Sequence, residues 1–191
     1  MSKPQKITTA DLVVLAVLLG HPPLHGYELV KKLEASDVED WARISIPQVY
    51  YSLRKMAKSG HIVPVADTNP SLGPRRTIYK PAKHARKTMQ DALEREEWIN
   101  QRPPTPFITW TALAHLAEIS TINEQFKTRE GFLNAEIIRE QETLKFLKTA
   151  KGPGIKIANA MVSLVISQMK AELSCHEDLH TAILFEQKNR H

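Results

Sequence analysis

The chain has 191 residues, of which 42% are hydrophobic and 25% charged, and its net charge is +5. These proportions exclude a chain that is disordered throughout, and a single cysteine, Cys175, excludes an intrachain disulfide framework. No signal peptide is visible at the N-terminus. The longest fully apolar run, residues 12–19, is too short for a membrane span of about 20 residues. We therefore expect a cytoplasmic protein without a transmembrane helix.

Positive charge is concentrated in one part of the sequence. Between residues 42 and 88 there are ten arginines and lysines and one acid, Asp67, which gives this segment a net charge of +9. A local field of this kind attracts a polyanion, such as nucleic acid or an anionic membrane surface. A basic surface that is simply solvated would explain the same charge, so charge alone leaves both readings open.

Two helices are predicted before residue 36. The first covers about residues 10–19, because Thr8 and Asp11 have the spacing of a capping box and GHPP at 20–23 stops the helix. The second begins at HGYEL, residues 25–29. Its predicted apolar stripe consists of Tyr27, Leu29, Val30 and Leu33. The next nine residues, 36–44, are predicted to be a connector.

A third helix is predicted within SIPQVYYSLRKMAKSGHI, residues 45–62. Ser45 is the predicted N-cap, Gln48 is its capping-box partner, and Gly60 ends the helix. One narrow face of this helix is apolar and the opposite face is aromatic and cationic. The apolar residues are Val49, Leu53 and Met56, and the opposite residues are Tyr51, Arg54, Lys55 and Lys58.

A β-hairpin is predicted after the third helix, from β-like runs at 62–66 and 77–80 that flank a segment rich in Pro, Asn, Ser and Gly. Three helices followed by a basic hairpin is the order of a winged helix-turn-helix, whose third helix enters the major groove of DNA. The residues predicted to probe bases are Gln48, Tyr51, Arg54 and Lys55, those predicted to hold phosphates are Ser45, Tyr50 and Lys58, and the hairpin contributes Arg75 and Arg76.

The remainder of the chain is predicted to be helical. A helix is expected over about 82–100, and PPTP at 103–106 is the expected boundary. Further helices are expected over 107–119, over 121–150 with an interruption or a dent at Gly131, and over 155–187 after GPG at 152–154. A heptad pattern suits helix-to-helix packing, with Val162, Met169, His176 and Ile183 flanked by Ile166, Leu173 and His180. The predicted domains are 1–101 and 107–191, joined by a linker at 102–106.

Three stretches together resemble the PadR family of bacterial transcriptional regulators: VVLAVLLGHPPLHGYEL at 13–29, YYSLRKM at 50–56 and GPRRTIY at 73–79. The resemblance covers about residues 10–90. It implies a mostly α-helical protein with a β-hairpin wing, an N-terminal winged helix-turn-helix and a C-terminal helical dimerisation domain. It also implies a homodimer that binds double-stranded operator DNA, usually as a repressor, and that a small aromatic effector can release. An acid that is common in the family is replaced by Ala57, and a Thr-x-x-Gly by Ala82 and Ala85.

Other candidate sites are less well supported. Trp98, Phe107 and Trp110 could line an effector pocket, but their position as ordinary core aromatics is the favoured explanation. Cys175, His176 and His180 could attract a metal ion. However, three ligands on one helix cannot close a tetrahedral site, and packing, with or without pH sensitivity, explains the two histidines. No phosphate loop, HExxH or GxSxG motif is present, so we predict neither an enzyme nor a cofactor or metal.

Two functions remain open at the level of the sequence. One is a regulator that reads operator DNA. The other is a protein-interaction module that uses a winged helix only as a scaffold, because a fold does not fix a function. The cationic face of the third helix favours DNA, since a scaffold has no need of a charge of +9 in this segment.

Overall fold

The structure is a computed structural model that describes residues 6–66, 77–100 and 105–189. The chain divides into two compact units, Met1–Gln101 and Arg102–His191. Both units are mainly α-helical, and a small antiparallel sheet in the first unit completes a winged helix. No helix in the described ranges is both long and apolar enough to cross a lipid bilayer.

The first unit contains five α-helices and three strands in its described residues. In chain order these are α1 Thr9–Gly20, β1 Leu24–His25, α2 Gly26–Glu34, α3 Val38–Ala42, α4 Ile46–Lys58, β2 Ile62–Ala66, β3 Thr77–Pro81 and α5 Ala85–Leu93. The strand order in the sheet is β1-β3-β2. Pro64 lies on β2 opposite Tyr79 of β3, at an edge where a missing N–H is tolerated.

Helix α1 is the centre of this unit, as its apolar sequence predicts. It begins with the expected capping box, in which Asp11 Oδ2 accepts a hydrogen bond from the Thr8 backbone N–H at 2.8 Å. Val14, Leu15 and Leu18 are fully or almost fully buried and pack in one cluster with residues of α2, α4 and β2. Burying a side chain of this size stabilises the fold by about 1.5–3 kcal/mol.

The structure contains two elements of the first unit that the sequence did not predict, α3 and β1. The predicted connector contains α3, which is flanked by Asp37 and Arg43 in the left-handed conformation, with φ of 51° and 55°. The two-residue strand β1 was not predicted, because its pairing with β3 depends on residues more than 50 positions away.

Tyr27 was predicted to belong to the apolar stripe of α2, and this prediction is wrong. Its side chain is 41% exposed, and its ring stacks on His25 with centroids 5.5 Å apart. Leu29, Val30 and Leu33 are buried as expected. Tyr27 lies in the first turn of α2, where it packs along the surface instead of into the core.

The predicted helix over 82–100 is shorter than expected. Helix α5 ends at Leu93, and a 3₁₀ turn follows at Glu96–Trp98. Two side-chain hydrogen bonds attach the residues after α5 to the rest of the first unit. The Arg95 guanidinium donates to the carbonyl oxygen of Ile7 at 2.9 Å, and Trp98 Nε1 donates to that of Ala92 at 2.6 Å.

The second unit contains four α-helices in its described residues. They are α6 Pro106–Leu113, followed by a 3₁₀ turn at Ala114–Leu116, then α7 Ile119–Thr149, α8 Ile155–Ser174 and α9 His176–Lys188. Helix α7 continues through Gly131, so the predicted interruption is absent. The Gly-Pro-Gly turn separates α7 from α8 as predicted.

The predicted single helix over 155–187 is divided at Cys175, which separates α8 from α9. The residues after the break contact α7. His176 Nε2 lies 2.9 Å from the carbonyl oxygen of Phe126, and His180 Nε2 lies 2.8 Å from Asn123 Oδ1. These contacts are long-range in sequence, so the heptad pattern, which continues through residue 175, did not reveal the break.

Candidate nucleic-acid interface

The candidate interface is built on α4, whose first turn is fixed by local hydrogen bonds. Gln48 Oε1 accepts hydrogen bonds from the Ser45 backbone N–H at 2.7 Å and from Ser45 Oγ at 3.1 Å. Pro47 occupies the first turn, where no intrahelical N–H bond is lost. The helix ends after Lys58, and Gly60 follows with a φ of 77°. The sequence therefore determines both ends of this helix.

The two faces of α4 differ in the way that the sequence predicts. Val49, Leu53 and Met56 are 0%, 2% and 0% exposed, respectively. On the opposite side Tyr51 is 59% exposed, and the neighbouring exposed residues are Gln48, Tyr50, Arg54 and Lys58. The buried residues attach the helix to the core, and the exposed residues are long, polar or cationic groups that can reach a ligand.

Lys55, which the sequence also predicts to probe bases, differs from these exposed residues in its surroundings. Its Nζ atom lies 2.5 Å from Asp11 Oδ2 of α1, and the two side chains are 9% and 0% exposed. In this structure the Lys55 ammonium group therefore contacts Asp11, and its side chain is almost completely shielded from solvent. Gln48 was also predicted to probe bases. It is exposed, but its Oε1 atom already accepts hydrogen bonds from Ser45.

The environment of Asp11 keeps its carboxylate ionised. Burial by itself raises the pKa of Asp11, but the hydrogen bonds from Lys55, from Thr8 and from Ser52 outweigh burial and hold the pKa below its ordinary value. Ser52 of α4 is 1% exposed. A buried polar group is therefore present between α1 and α4, within an otherwise apolar contact.

Two histidines lie at the base of the hairpin. The rings of His61 and His84 meet edge to face with centroids 5.5 Å apart, and the Ala82 N–H donates to the carbonyl oxygen of His61 at 3.1 Å. Burial lowers the pKa of His61, the His84 and Lys55 charges lower it further, and Asp11 acts in the opposite direction. The neutral form of His61 is therefore favoured in the folded protein.

The predicted wing residues Arg75 and Arg76 lie outside the described residues. The strands on either side of them are described, and they pair in an antiparallel register from Ile62 opposite Pro81 to Ala66 opposite Thr77. The predicted hairpin is thus confirmed in its strands. Its cationic contribution to the interface stays a prediction.

Sequence reasoning missed one further polar surface, on α2. Besides stacking on His25, the exposed Tyr27 ring has Lys31 Nζ at 5.9 Å from its centroid. The only sequence signal for this surface was the position of Tyr27 in the first turn of the helix. At that position the sequence pattern does not distinguish an aromatic residue of a buried apolar stripe from an exposed aromatic residue.

The three predicted pocket aromatics do not all lie in one unit. Phe107 and Trp110 belong to the second unit, where they stack with centroids 5.8 Å apart and each meets Phe126 edge to face. Arg129 lies over the Phe107 ring at 5.1 Å and makes a bidentate ion pair with Glu172. Trp98 belongs to the first unit. Phe107 and Trp110 are therefore packing residues of the second unit.

No group of three or more metal-binding side chains lies together in the part of the chain that the structure describes. The three residues considered from the sequence have other surroundings. Cys175 is exposed, and the two histidines face acceptor atoms of α7.

Comparison with known proteins identifies the fold. The sequence matches no protein-family model and no curated protein. The structure is similar to Bacillus subtilis PadR in complex with operator DNA, with a TM-score of 0.73, 15% identity, and coverage of 92% of this chain and 99% of that chain. It is also similar to the Vibrio cholerae virulence activator AphA, with a TM-score of 0.71, 15% identity and coverage of 91% and 97%. The PadR-like regulator BC1756 from Bacillus cereus has a TM-score of 0.64, 14% identity and coverage of 95% and 99%. The chain therefore has a PadR-like fold.

Proposed function

We propose that this protein is a transcriptional regulator that binds double-stranded DNA through α4. One observation carries the proposal: the exposed face of α4 presents Tyr50, Tyr51, Arg54 and Lys58 directly opposite a fully buried apolar stripe. A helix fits into the major groove, where arginine can make a bidentate contact with guanine and lysine can neutralise a phosphate. The operator complex of the B. subtilis protein with the same fold supports this proposal.

The surface on α2 is the second part of the proposed interface. In helix-turn-helix proteins the helix that precedes the recognition helix crosses the DNA backbone. Tyr27 has a hydroxyl group that can donate to a phosphate oxygen, and Lys31 supplies a charge beside it. We assign these two residues to backbone contacts, which position the protein without reading sequence. Arg75 and Arg76 are proposed to extend the contact from the wing.

We further propose that the protein acts as a homodimer through its second unit. Helix α8 leaves an apolar stripe exposed, formed by Ile157, Met161 and Leu164 at spacings of four and three residues. Exposed apolar side chains of this size in one row are typical of a protein interface. A twofold dimer would place two copies of α4 about one DNA turn apart, on an operator with matching symmetry.

Release by a small aromatic effector and a repressor role are also proposals. They are supported by the sequence resemblance and by the fact that B. subtilis PadR has also been solved in complex with p-coumaric acid. An effector would act by favouring a dimer geometry that separates the two recognition helices from their half-sites.

The proposal is tested with labelled DNA from the region upstream of the protein's own gene and with scrambled DNA. Fluorescence anisotropy is measured at two salt concentrations. We expect the upstream DNA to bind about 10³-fold more tightly than the scrambled DNA, with affinity falling steeply as salt rises. The Arg86→Ala variant is a matched control, because Arg86 is an exposed arginine of α5 outside the proposed interface. Absence of binding to any DNA at low salt would contradict the proposal and favour a protein-interaction module.

A further inference from the structure

The contact between α1 and α4 contains one ion pair in an otherwise apolar interface. Within residues 6–66, 77–100 and 105–189, Asp11 and Ser52 are the only polar side chains that are buried, and the Lys55 side chain is 9% exposed. These three groups face one another across the two helices. Asp11 Oδ2 accepts from Lys55 Nζ at 2.5 Å and from the Thr8 backbone N–H at 2.8 Å. A single oxygen atom thus joins the first turn of α1 to the third turn of α4.

We propose that Asp11 and Lys55 are positioning residues that fix the rotation of α4 about its own axis, and that base reading depends on them although neither touches DNA. The inference rests on the proposed function, because it concerns how α4 reads DNA. It reverses the role that the sequence suggested for Lys55, from a contact residue to a support.

The position of Lys55 on the helix suits this role. At 100° per residue it lies about 40° from Tyr51 on the exposed face and about 60° from the buried Ser52, so it occupies the edge between the two faces. The apolar stripe is narrow, and apolar contact is not directional. A charge-assisted hydrogen bond has a preferred distance and angle, and it therefore resists rotation that the apolar contacts tolerate.

A small rotation would be enough to disturb reading. With side chains about 5–6 Å from the helix axis, a turn of about 20° moves their contacting atoms by about 2 Å. Bidentate contacts to a base require donor–acceptor distances of about 2.7–3.2 Å, so such a displacement breaks them. Contacts with phosphates are less affected, because long cationic side chains can follow the backbone.

The chemistry of the pair also points to orientation rather than to stability. Two buried charges lose their hydration, and a pair of apolar residues of similar size often stabilises a fold equally well or better. A polar pair in this position is therefore explained more directly by the single geometry that it selects, as a buried polar residue selects one register in a coiled coil.

The test compares Lys55→Met with Lys58→Met, which removes an exposed lysine one turn further along the same helix. Binding to upstream and scrambled DNA is measured over a series of salt concentrations, at a temperature where both variants are folded. For Lys55→Met we expect the specificity ratio to fall about tenfold while the salt slope stays unchanged. For Lys58→Met we expect weaker binding to both DNAs and a salt slope shallower by about 1. A shallower slope for Lys55→Met would identify a phosphate contact and overturn the inference, as would an unchanged specificity ratio.

The double variant Asp11→Asn/Lys55→Met separates orientation from folding. Lys55→Met alone leaves a buried carboxylate without its partner, so its thermal midpoint is expected to fall. The double variant removes both charges while asparagine can still accept from the Thr8 N–H, so its midpoint is expected to return toward that of the wild type. Its specificity ratio should stay low, and recovery of the ratio together with the midpoint would overturn the inference. Failure of the proposed function is distinct, because the wild-type protein would then not distinguish the two DNAs at all.

Discussion

The two units differ in how completely they bury their own apolar residues. In the first unit α1 is apolar on nearly every side, and its residues are enclosed by α2, α4, α5 and the sheet. In the second unit the long helices bury few residues each, and several large apolar side chains remain exposed. Those on α7 and α8 are Ile119, Phe132, Ile138, Phe146, Ile157, Met161, Leu164 and Val165.

The two units therefore differ in whether their apolar side chains are covered by the unit itself. The first unit buries the apolar stripe of α4 in its own core, so the exposed face of α4 is available for a polar ligand. The second unit has a helical hairpin with a second apolar surface, which stays in water unless another molecule covers it. The polar surface of the first unit is the basis of the proposed binding of nucleic acid, and the apolar surface of the second unit is the basis of the proposed dimer.

The largest effect is expected on dimerisation, when a substitution introduces a charge into the apolar surface of the second unit. Leu164→Glu places a carboxylate in the centre of the exposed stripe of α8. We expect it to weaken dimerisation by about 2 kcal/mol or more, which is about thirtyfold in the dissociation constant. Analytical ultracentrifugation over a range of protein concentrations measures the change. Ser163→Glu adds the same charge at the adjacent exposed position outside the stripe, and equal effects of both variants would exclude the stripe as the interface.

The polar surface of the first unit is tested by Arg54→Ala. Loss of a base contact is expected to weaken operator binding by about 1–3 kcal/mol and to relax specificity at one base position. Competition with operators that carry single base changes identifies that position. If affinity falls equally for every sequence, Arg54 contacts a phosphate and does not read a base. Unchanged affinity would remove Arg54 from the interface.

The stability of the first unit is expected to decrease gradually as the pH falls. The pKa of His61 is lowered in the folded state, so its contribution to stability is present above about pH 6.5 and is lost as the pH falls through the folded pKa. The lowered pKa of Asp11 has the same sign in a lower window, with stability lost below about pH 3.8. Chemical denaturation between pH 8 and pH 3 measures both steps. His61→Gln is expected to remove only the upper step, and persistence of that step would assign it to another group.

The smallest effect is expected at the first turn of α4. Gln48→Ala removes the acceptor of the Ser45 N–H and is expected to destabilise the protein by about 0.3–1.5 kcal/mol in urea denaturation. Gln48→Glu keeps an acceptor and places a negative charge near the helix N-terminus, so stability should be retained. The same carboxylate would repel DNA. Weak DNA binding by a stable Gln48→Glu variant would therefore place this turn beside the phosphate backbone, and unchanged binding would place it elsewhere.

Local sequence was sufficient for those features that depend on neighbouring residues. The capping boxes of α1 and α4, the end of α4 at Gly60, and the turn at residues 152–154 each follow from residues within four positions of one another. The strands of the hairpin were also predictable, because β-favouring runs flank a turn-forming segment. Helix α3, strand β1 and the break at Cys175 were not, since each depends on contacts with distant residues.

The candidate site shows the same division at the level of single side chains. By the periodicity of α4, Arg54 and Lys55 lie on opposite edges of the exposed face, so the sequence gives them equal access to a ligand. The structure separates them, because only the edge with Lys55 meets α1. Asp11, which local spacing identified as a capping residue, is also the partner of a lysine 44 residues away.

The sequence by itself therefore determined α1, α4 and the strands of the hairpin, the ends of these two helices and the two-faced character of α4, because periodicity and capping act over a few residues. Tertiary structure alone decided which cations stay exposed, which aromatic residues leave the core and where the last helix breaks. The physical reason is that burial and ion pairing depend on what the other helices bring to the same place. Lys55 is the clearest case, since a side chain that local pattern assigns to solvent becomes a buried support once α1 packs against α4.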